Sequence, residues 1–260
     1  MPGPTTSEGP GHNDRVCGRY VADASIDDLA AEFDAIAAGT VADLMPSYNV
    51  APTDRVPVVL ERTDEPPERT RQLHAARWGL IPSWAEDPGG AATMINARIE
   101  TVADKPAFRG PVARRRCVLP ARGYYEWQRT GRAGRPYFIH PKRGLLAMAG
   151  VFEWWRDPSV PPGAPERWVL SASVLTTEPV PGLAHIHDRM PVLLSTEDIP
   201  DWLDRRNEDT ASLLGLARTA AARVGATLET RPVGPEVGNV RNNHAGLLAE
   251  AVPLQPTLEG

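Results

Sequence analysis

Cys117-Val118-Leu119-Pro120-Ala121-Arg122-Gly123-Tyr124-Tyr125-Glu126-Trp127 reads as two consecutive strands meeting at Arg122-Gly123. Apolar and aromatic residues dominate both halves, as strands packed on a core require. Outward from this pair the strand signals continue. Gly131–Gly134 forms a hairpin turn into Tyr137–His140, and Leu145–Trp155 and Trp168–Thr176 supply further strands. Upstream, Val56–Leu60 and Leu73–Trp78 are strands flanking a charged loop over Glu61–Arg71, and Leu228–Val233 adds one more near the end. Helical spacing is confined to three stretches. Ser25-Ile26-Asp27-Asp28 starts a helix that Gly39 ends, and Ser195–Leu203 and Asp209–Val224 are the other two. No internal repeat and no linker divide the chain, so a single domain over residues 17–252 is expected. Residues 1–16 are expected to be a disordered leader and 253–260 a flexible tail.

Composition narrows the class of function. The 260 residues are 42% hydrophobic and 23% charged, with no apolar run near the length of a membrane span and no signal-peptide pattern. Two cysteines cannot build a disulfide framework, and no Cys/His spacing suits zinc. A cytoplasmic protein without metal or cofactor is expected. The net charge of −5 is unevenly spread: from Arg98 to Arg143 twelve Lys/Arg face three acids, so this segment is +9 and the remainder −14. Such a local field either holds a phosphate backbone or is a solvated face.

Chemistry concentrates at few positions. Cys17 opens the folded part in Cys17-Gly18-Arg19-Tyr20. If the leader is absent, its α-amine and thiol form a 1,2-aminothiol with ordinary pKa values of about 7.7–8.0 and about 8.5. Such a pair captures an aldehyde as a Schiff base and closes it to a thiazolidine. The alternative is a small buried hydrophobe, which is the role expected of Cys117. Glu126 lies among aromatics that can raise its pKa for proton transfer, or it faces solvent as strand glutamates commonly do. His187 beside Asp188 suits a proton shuttle. Asn96 and Arg98 share a face in extended backbone, where Asn orients a reacting group and Arg grips phosphate; Asn96 is otherwise a turn or cap residue. Trp78 and Trp84, around a Gly/Pro turn, are a core plug or a base-stacking surface. The GTG codon of valine also starts translation, so Val16 marks an alternative start that would leave Cys17 next to an initiator Met.

Together these stretches resemble the SOS response-associated peptidase (SRAP) family, also called abasic-site processing proteins. The likeness is carried by Cys17–Tyr20, Tyr48–Pro52, Arg77–Pro82, Ile95–Glu100, Cys117–Trp127, His187–Pro191 and Val237–Val240. It implies an α+β fold, with twisted antiparallel sheets forming a barrel-like core and peripheral helices. It implies binding of single-stranded DNA, or a single-strand/double-strand junction, carrying an abasic site, by a monomer without membrane contact. Cys17 would be the nucleophile, Asn96 would position it, and Glu126 and His187 would move protons. Arg19, Trp78, Arg98 and Arg189 would contact phosphate or base. The resemblance also raises autopeptidase and DNA lyase activities. The chain departs from the family in the residues ahead of Cys17, which block its amine. Rival readings are a thiol peptidase using Cys17, Glu126 and His187 to remove the leader, an N-terminal-nucleophile amidotransferase, and a noncatalytic DNA-binding module.

Overall fold

A computed structural model describes residues 18–62, 70–130 and 133–251. Cys17, the leader, the turn residues 131–132 and the tail lie outside the described residues. In chain order the elements begin with β1 (Arg19–Ala22), α1 (Ile26–Phe33), β2 (Ala35–Ala37), β3 (Ser47–Val50), β4 (Arg55–Arg62) and β5 (Thr70–Trp78). They continue with β6 (Asn96–Arg98), α2 (Pro106–Arg114), β7 (Arg116–Ala121), β8 (Gly123–Thr130), β9 (Ala133–His140) and β10 (Leu146–Arg156). The last are β11 (Trp168–Thr177), β12 (Met190–Pro191), β13 (Leu193–Leu194), α3 (Ile199–Leu203), α4 (Thr210–Gly225) and β14 (Glu229–Pro232).

The fold is α+β and built on a closed barrel. Strands β11, β10, β7, β4 and β5 pair in that order, and β5 returns to pair with β11, closing a ring of five. The closing pair is parallel, Ser171 opposite Arg77 and Ala172 opposite Trp78. The sheets are therefore not purely antiparallel, since β2 also joins β5, and β6 joins β11, in parallel. Barrel strands bury both faces, which explains near-continuous apolar runs such as Leu146–Phe152 in β10. Close approach at the centre of this sheet needs glycine: a side chain at Gly150 would collide with Leu119 and with the carbonyl of Ser173. A second sheet runs β14-β9-β8-β1-β3. It packs on the barrel through Tyr20, whose ring meets Trp78 edge-on at 4.9 Å.

Helices cover the outside. Ser25 caps α1 by accepting the Asp28 N–H at 3.1 Å, and Leu29 and Phe33 face the core. The helix stops earlier than its apolar spacing predicts. Asp34 adopts φ +49°, and Ala35–Ala37 then leave as a strand beside β5 instead of continuing to Gly39. Helix α2 is absent from the sequence-based expectation because Gly110 and Pro111 interrupt it. Pro106 sits in its first turn, where a missing N–H costs nothing. The expected helix at Ser195–Leu203 shortens to α3, because Ser195 forms a turn closed by Asp198.

One buried charge fastens these helices. Arg116, 1% exposed, donates to the carbonyls of Val112, Ala113, Trp202, Asp204 and Asn207 at 2.5–3.0 Å. Carbonyls near the C-terminal ends of α2 and α3 supply negative potential for the guanidinium. Burial lowers its pKa to about 10, which still leaves it charged at neutral pH.

Candidate active site

Strand pairings and hydrogen bonds link four sequence-distant segments. Strand β1 runs antiparallel to β8, with Arg19 opposite Tyr125 and Tyr20 opposite Tyr124. Continuing this register by one residue sets Gly18 opposite Glu126. The strand that follows Cys17 in sequence is thereby led in beside a buried carboxylate, since Glu126 is 2% exposed. Alternation sends Tyr125 into a small core with Val21, Phe138 and Val237, and turns Tyr124, Glu126 and Gln128 to the opposite face.

The loop carrying His187 lies against that opposite face. Gln128 donates to the carbonyl of His185 at 3.1 Å, and Tyr137, opposite Glu126 on β9, meets the His185 ring edge-on. Side-chain exposure of His187 is only 12%. Its Nδ1 is 3.2 Å from the Arg189 N–H and 2.9 Å from an Asp188 carboxylate oxygen. When neutral, Nδ1 accepts from Arg189 and Nε2 carries the proton. When protonated, Nδ1–H turns to Asp188. The ring is thus held in either charge state, as a proton carrier requires.

The C-terminal end of β11 brings in the remaining candidates. Asn96 pairs with Val174 and Arg98 with Thr176, while Pro191, just past the His187 loop, pairs with Thr176 from β12. Arg98 is exposed, and with Asn96 and Lys105 it lines a cavity of about 480 Å³ that has no acidic wall. Neither Glu126 nor His187 lines this cavity.

Three of the four expected DNA-contact residues have internal roles. Trp78 is fully buried, and its Nε1–H donates to the Ile95 carbonyl at 3.0 Å. It is a core plug at the barrel seam and presents no face for a base. Arg189 grips both oxygens of Glu100 at 3.1 and 2.8 Å and reaches the Thr176 carbonyl at 2.7 Å. Arg19 donates to Asn49 Oδ1 and to the carbonyls of Val237 and Gly238; burial lowers its pKa, with Asp54 opposing. Asn49, 3% exposed, is the residue sequence reasoning missed. Its amide donates to the carbonyls of Val237, Asn239 and Asn242, so it ties that turn to β3. The signal was its place within Tyr48–Pro52, a stretch carrying the family likeness.

The thiols separate by burial. Cys117 is 0% exposed, and burial pushes its pKa far up, so it stays a neutral thiol among apolar side chains. Of the two cysteines in the sequence, only Cys17 remains for nucleophilic chemistry.

A family model described as SOS response associated peptidase (SRAP) matches residues 16–240. The chain belongs to the SRAP family. Among its relatives is a Bacillus subtilis protein named abasic site processing protein YoaM, 36% identical over 235 residues, covering 90% of this chain and 97% of that one. The rat abasic site processing protein HMCES is 33% identical, covering 83% of this chain and 69% of its own length. In fold, this SRAP chain superimposes on a crystal structure from Bacteroides thetaiotaomicron with a TM-score of 0.76. That alignment spans 91% of this chain and all of the other, at 22% identity.

Proposed function

We propose that this chain processes abasic sites in DNA by covalent capture, with Cys17 as the nucleophile. The observation carrying this reading is the β1–β8 register, which leads the backbone just after Cys17 alongside the buried Glu126. Family membership and the names of the curated relatives support the substrate class.

In this mechanism the ring-opened sugar of an abasic site offers an aldehyde. The Cys17 amine adds to its carbonyl carbon, and the resulting carbinolamine loses water to give an imine. The Cys17 thiolate then attacks the imine carbon and closes a thiazolidine ring, the nitrogen taking up a proton. The condensation releases one water in total. One proton must leave the amine and one must reach the departing hydroxyl, and Glu126 and His187 are assigned these transfers. Asn96 orients the reacting groups, and the exposed Arg98 holds phosphate beside them. Single-stranded DNA fits a site that must accept a sugar from outside a duplex.

Residues 1–16 must be absent for the amine to react. The sixteen residues ahead of Cys17, with the peptidase in the family description, favour a second use of the same groups. Here the Cys17 thiol attacks the Val16 carbonyl, the Val16–Cys17 amide becomes a thioester, and water hydrolyses it to free the leader. Both readings are tested by comparing a chain starting at Cys17 with one starting at Met1 on abasic single-stranded DNA, resolved on a denaturing gel. The Cys17-initiated chain should give a heat-stable shifted band. The Met1 form should give that band only in step with leader loss seen by intact mass. Equal crosslinking by a chain that retains its leader would overturn the proposal.

A further inference from the structure

His187 is fixed by a chain of contacts that begins at Glu100, a residue outside those assigned to capture. The Ile99 N–H donates to the Thr176 carbonyl at 2.9 Å, so pairing with β11 carries Glu100 out just past β6. There its two carboxylate oxygens take both ends of the Arg189 guanidinium, Nη1 at 3.1 Å and Nη2 at 2.8 Å. The same Nη2 reaches the Thr176 carbonyl at 2.7 Å, and the Arg189 side chain is largely buried. A forked pair of this kind fixes orientation as well as distance. Burial alone would raise the Glu100 pKa. Hydrogen bonds from Arg189 and from its own N–H, with the charges of Arg189 and Arg218, hold it below the usual carboxylate range. The grip is therefore intact at neutral pH.

Arg189 passes the constraint to His187 through its own backbone. Its N–H stands 3.2 Å from His187 Nδ1, and the Asp188 carboxylate stands 2.9 Å from the same atom. These partners demand different rings. The N–H needs Nδ1 as an acceptor, which puts the proton on Nε2, whereas the carboxylate needs Nδ1–H. Asp188 is exposed, so water weakens its claim. The rest of the loop is pinned independently, by buried Leu183 and Ile186 and by the bond from Gln128 to the His185 carbonyl. We propose that Glu100 is a positioning residue that, through Arg189, holds neutral His187 in the form protonated on Nε2. A ring in that form can donate to a sugar oxygen but has no lone pair on Nε2 with which to take the amine proton. That transfer then falls to Glu126. The division of roles rests on the proposed capture chemistry; the tautomer does not.

The test reads the ring nitrogens directly by NMR. The full chain with isotope-labelled histidine is recorded at about pH 8, where an ordinary imidazole is neutral. The His187 signals are identified by their loss in His187→Gln. Wild type should show a protonated Nε2 and an unprotonated Nδ1. Glu100→Ala should move the proton towards Nδ1, and Glu100→Gln, which keeps one acceptor, should move it less. Combining Glu100→Ala with Asp188→Asn should return it to Nε2, because the competing carboxylate is gone. In single-turnover crosslinking by the Cys17-initiated chain, Glu100→Ala should lower the maximal rate by about tenfold, with the half-saturating DNA concentration little changed. A wild-type ring protonated on Nδ1, or a folded Glu100→Ala with the wild-type ring, would overturn the proposal. So would a Glu100→Ala protein that binds DNA more tightly and crosslinks at the wild-type rate, since Glu100 would then only compete with phosphate for Arg189. Should Glu100→Ala fail to fold, Glu100→Gln and the wild-type ring decide. If no chain crosslinks, the capture reading fails while the ring nitrogens still decide the tautomer.

Discussion

Trp78→Phe keeps the ring packing at the barrel seam but removes one of two N–H groups donated to the buried Ile95 carbonyl, the indole at 3.0 Å, while the Val174 N–H at 2.9 Å remains. Loss of one hydrogen bond to an acceptor that keeps another costs about 0.5–1.5 kcal/mol, so urea denaturation should show a loss of that size. DNA affinity of the folded variant should stay at the wild-type value, as expected of a core residue. A sequence holds no record of whether an indole faces inward or outward. Trp78 and Trp84 flank the same turn, yet one is fully buried and the other 61% exposed. Glu126 was legible as a carboxylate among aromatics, and its burial agrees with that environment. Glu126→Gln retains shape and most hydrogen bonding but cannot exchange a proton at neutral pH. Crosslinking by the Cys17-initiated chain should slow by about 10²-fold or more in single-turnover assays, with DNA binding little changed. A wild-type rate would remove Glu126 from the scheme.

At the scale of elements, strands were legible where both faces are largely buried, as in β4, β10 and β11, because burial on two sides leaves a nearly uninterrupted signal. Elements defined by long-range contacts were not. Strand β2 exists because β5 accepts it in parallel register, and α2 persists across Pro111 because Arg116 gathers its last carbonyls. Arg116→Met should therefore leave five carbonyls without their donor, three of them on the segment from Trp202 to Asn207. A loss of about 3–5 kcal/mol in urea unfolding is expected. Asp198 joins α3 to α4 by accepting from Ser195 N–H, the Ser195 hydroxyl and Arg223. Burial alone would raise its pKa, but the hydrogen bonds from Ser195 and Arg223, with the Arg223 charge, together hold it below the usual carboxylate range. A carboxylate depressed in the folded state adds stability that is complete above its unfolded pKa and lost as pH falls through its folded one. Asp198→Asn should thus melt lower than wild type at pH 7, by about 1–2 kcal/mol, and the gap should close below about pH 4.

Across the whole molecule, closure of five strands into a ring fixes where the sequence-distant stretches meet. The end of β11 gathers Asn96, Arg98 and the loop of His187, and Gln128 links that loop to the strand of Glu126. The sequence displayed these residues but not their convergence, which depends on the β5–β11 seam and on pairings across the chain. The uneven charge was legible, and of the cations between Arg98 and Arg143, Arg116 alone among the described residues is buried, where it serves the core. DNA affinity should fall steeply between 50 and 200 mM salt, and Arg98→Ala should reduce the logarithmic salt slope by about one. Arg19→Ala should instead lower the melting temperature, because the Val237 and Gly238 carbonyls each lose a hydrogen bond, Val237 keeping the one from Asn49.

The central claim is that one terminal residue joins nitrogen and sulfur to a single sugar carbon, and the mass of the adduct tests it most directly. The Cys17-initiated chain is incubated with an abasic oligonucleotide, treated with borohydride, and weighed intact. A thiazolidine predicts the sum of both masses less one water, unchanged by borohydride and absent with Cys17→Ser. An adduct that gains two hydrogens on reduction, or that persists with Cys17→Ser, would contradict it.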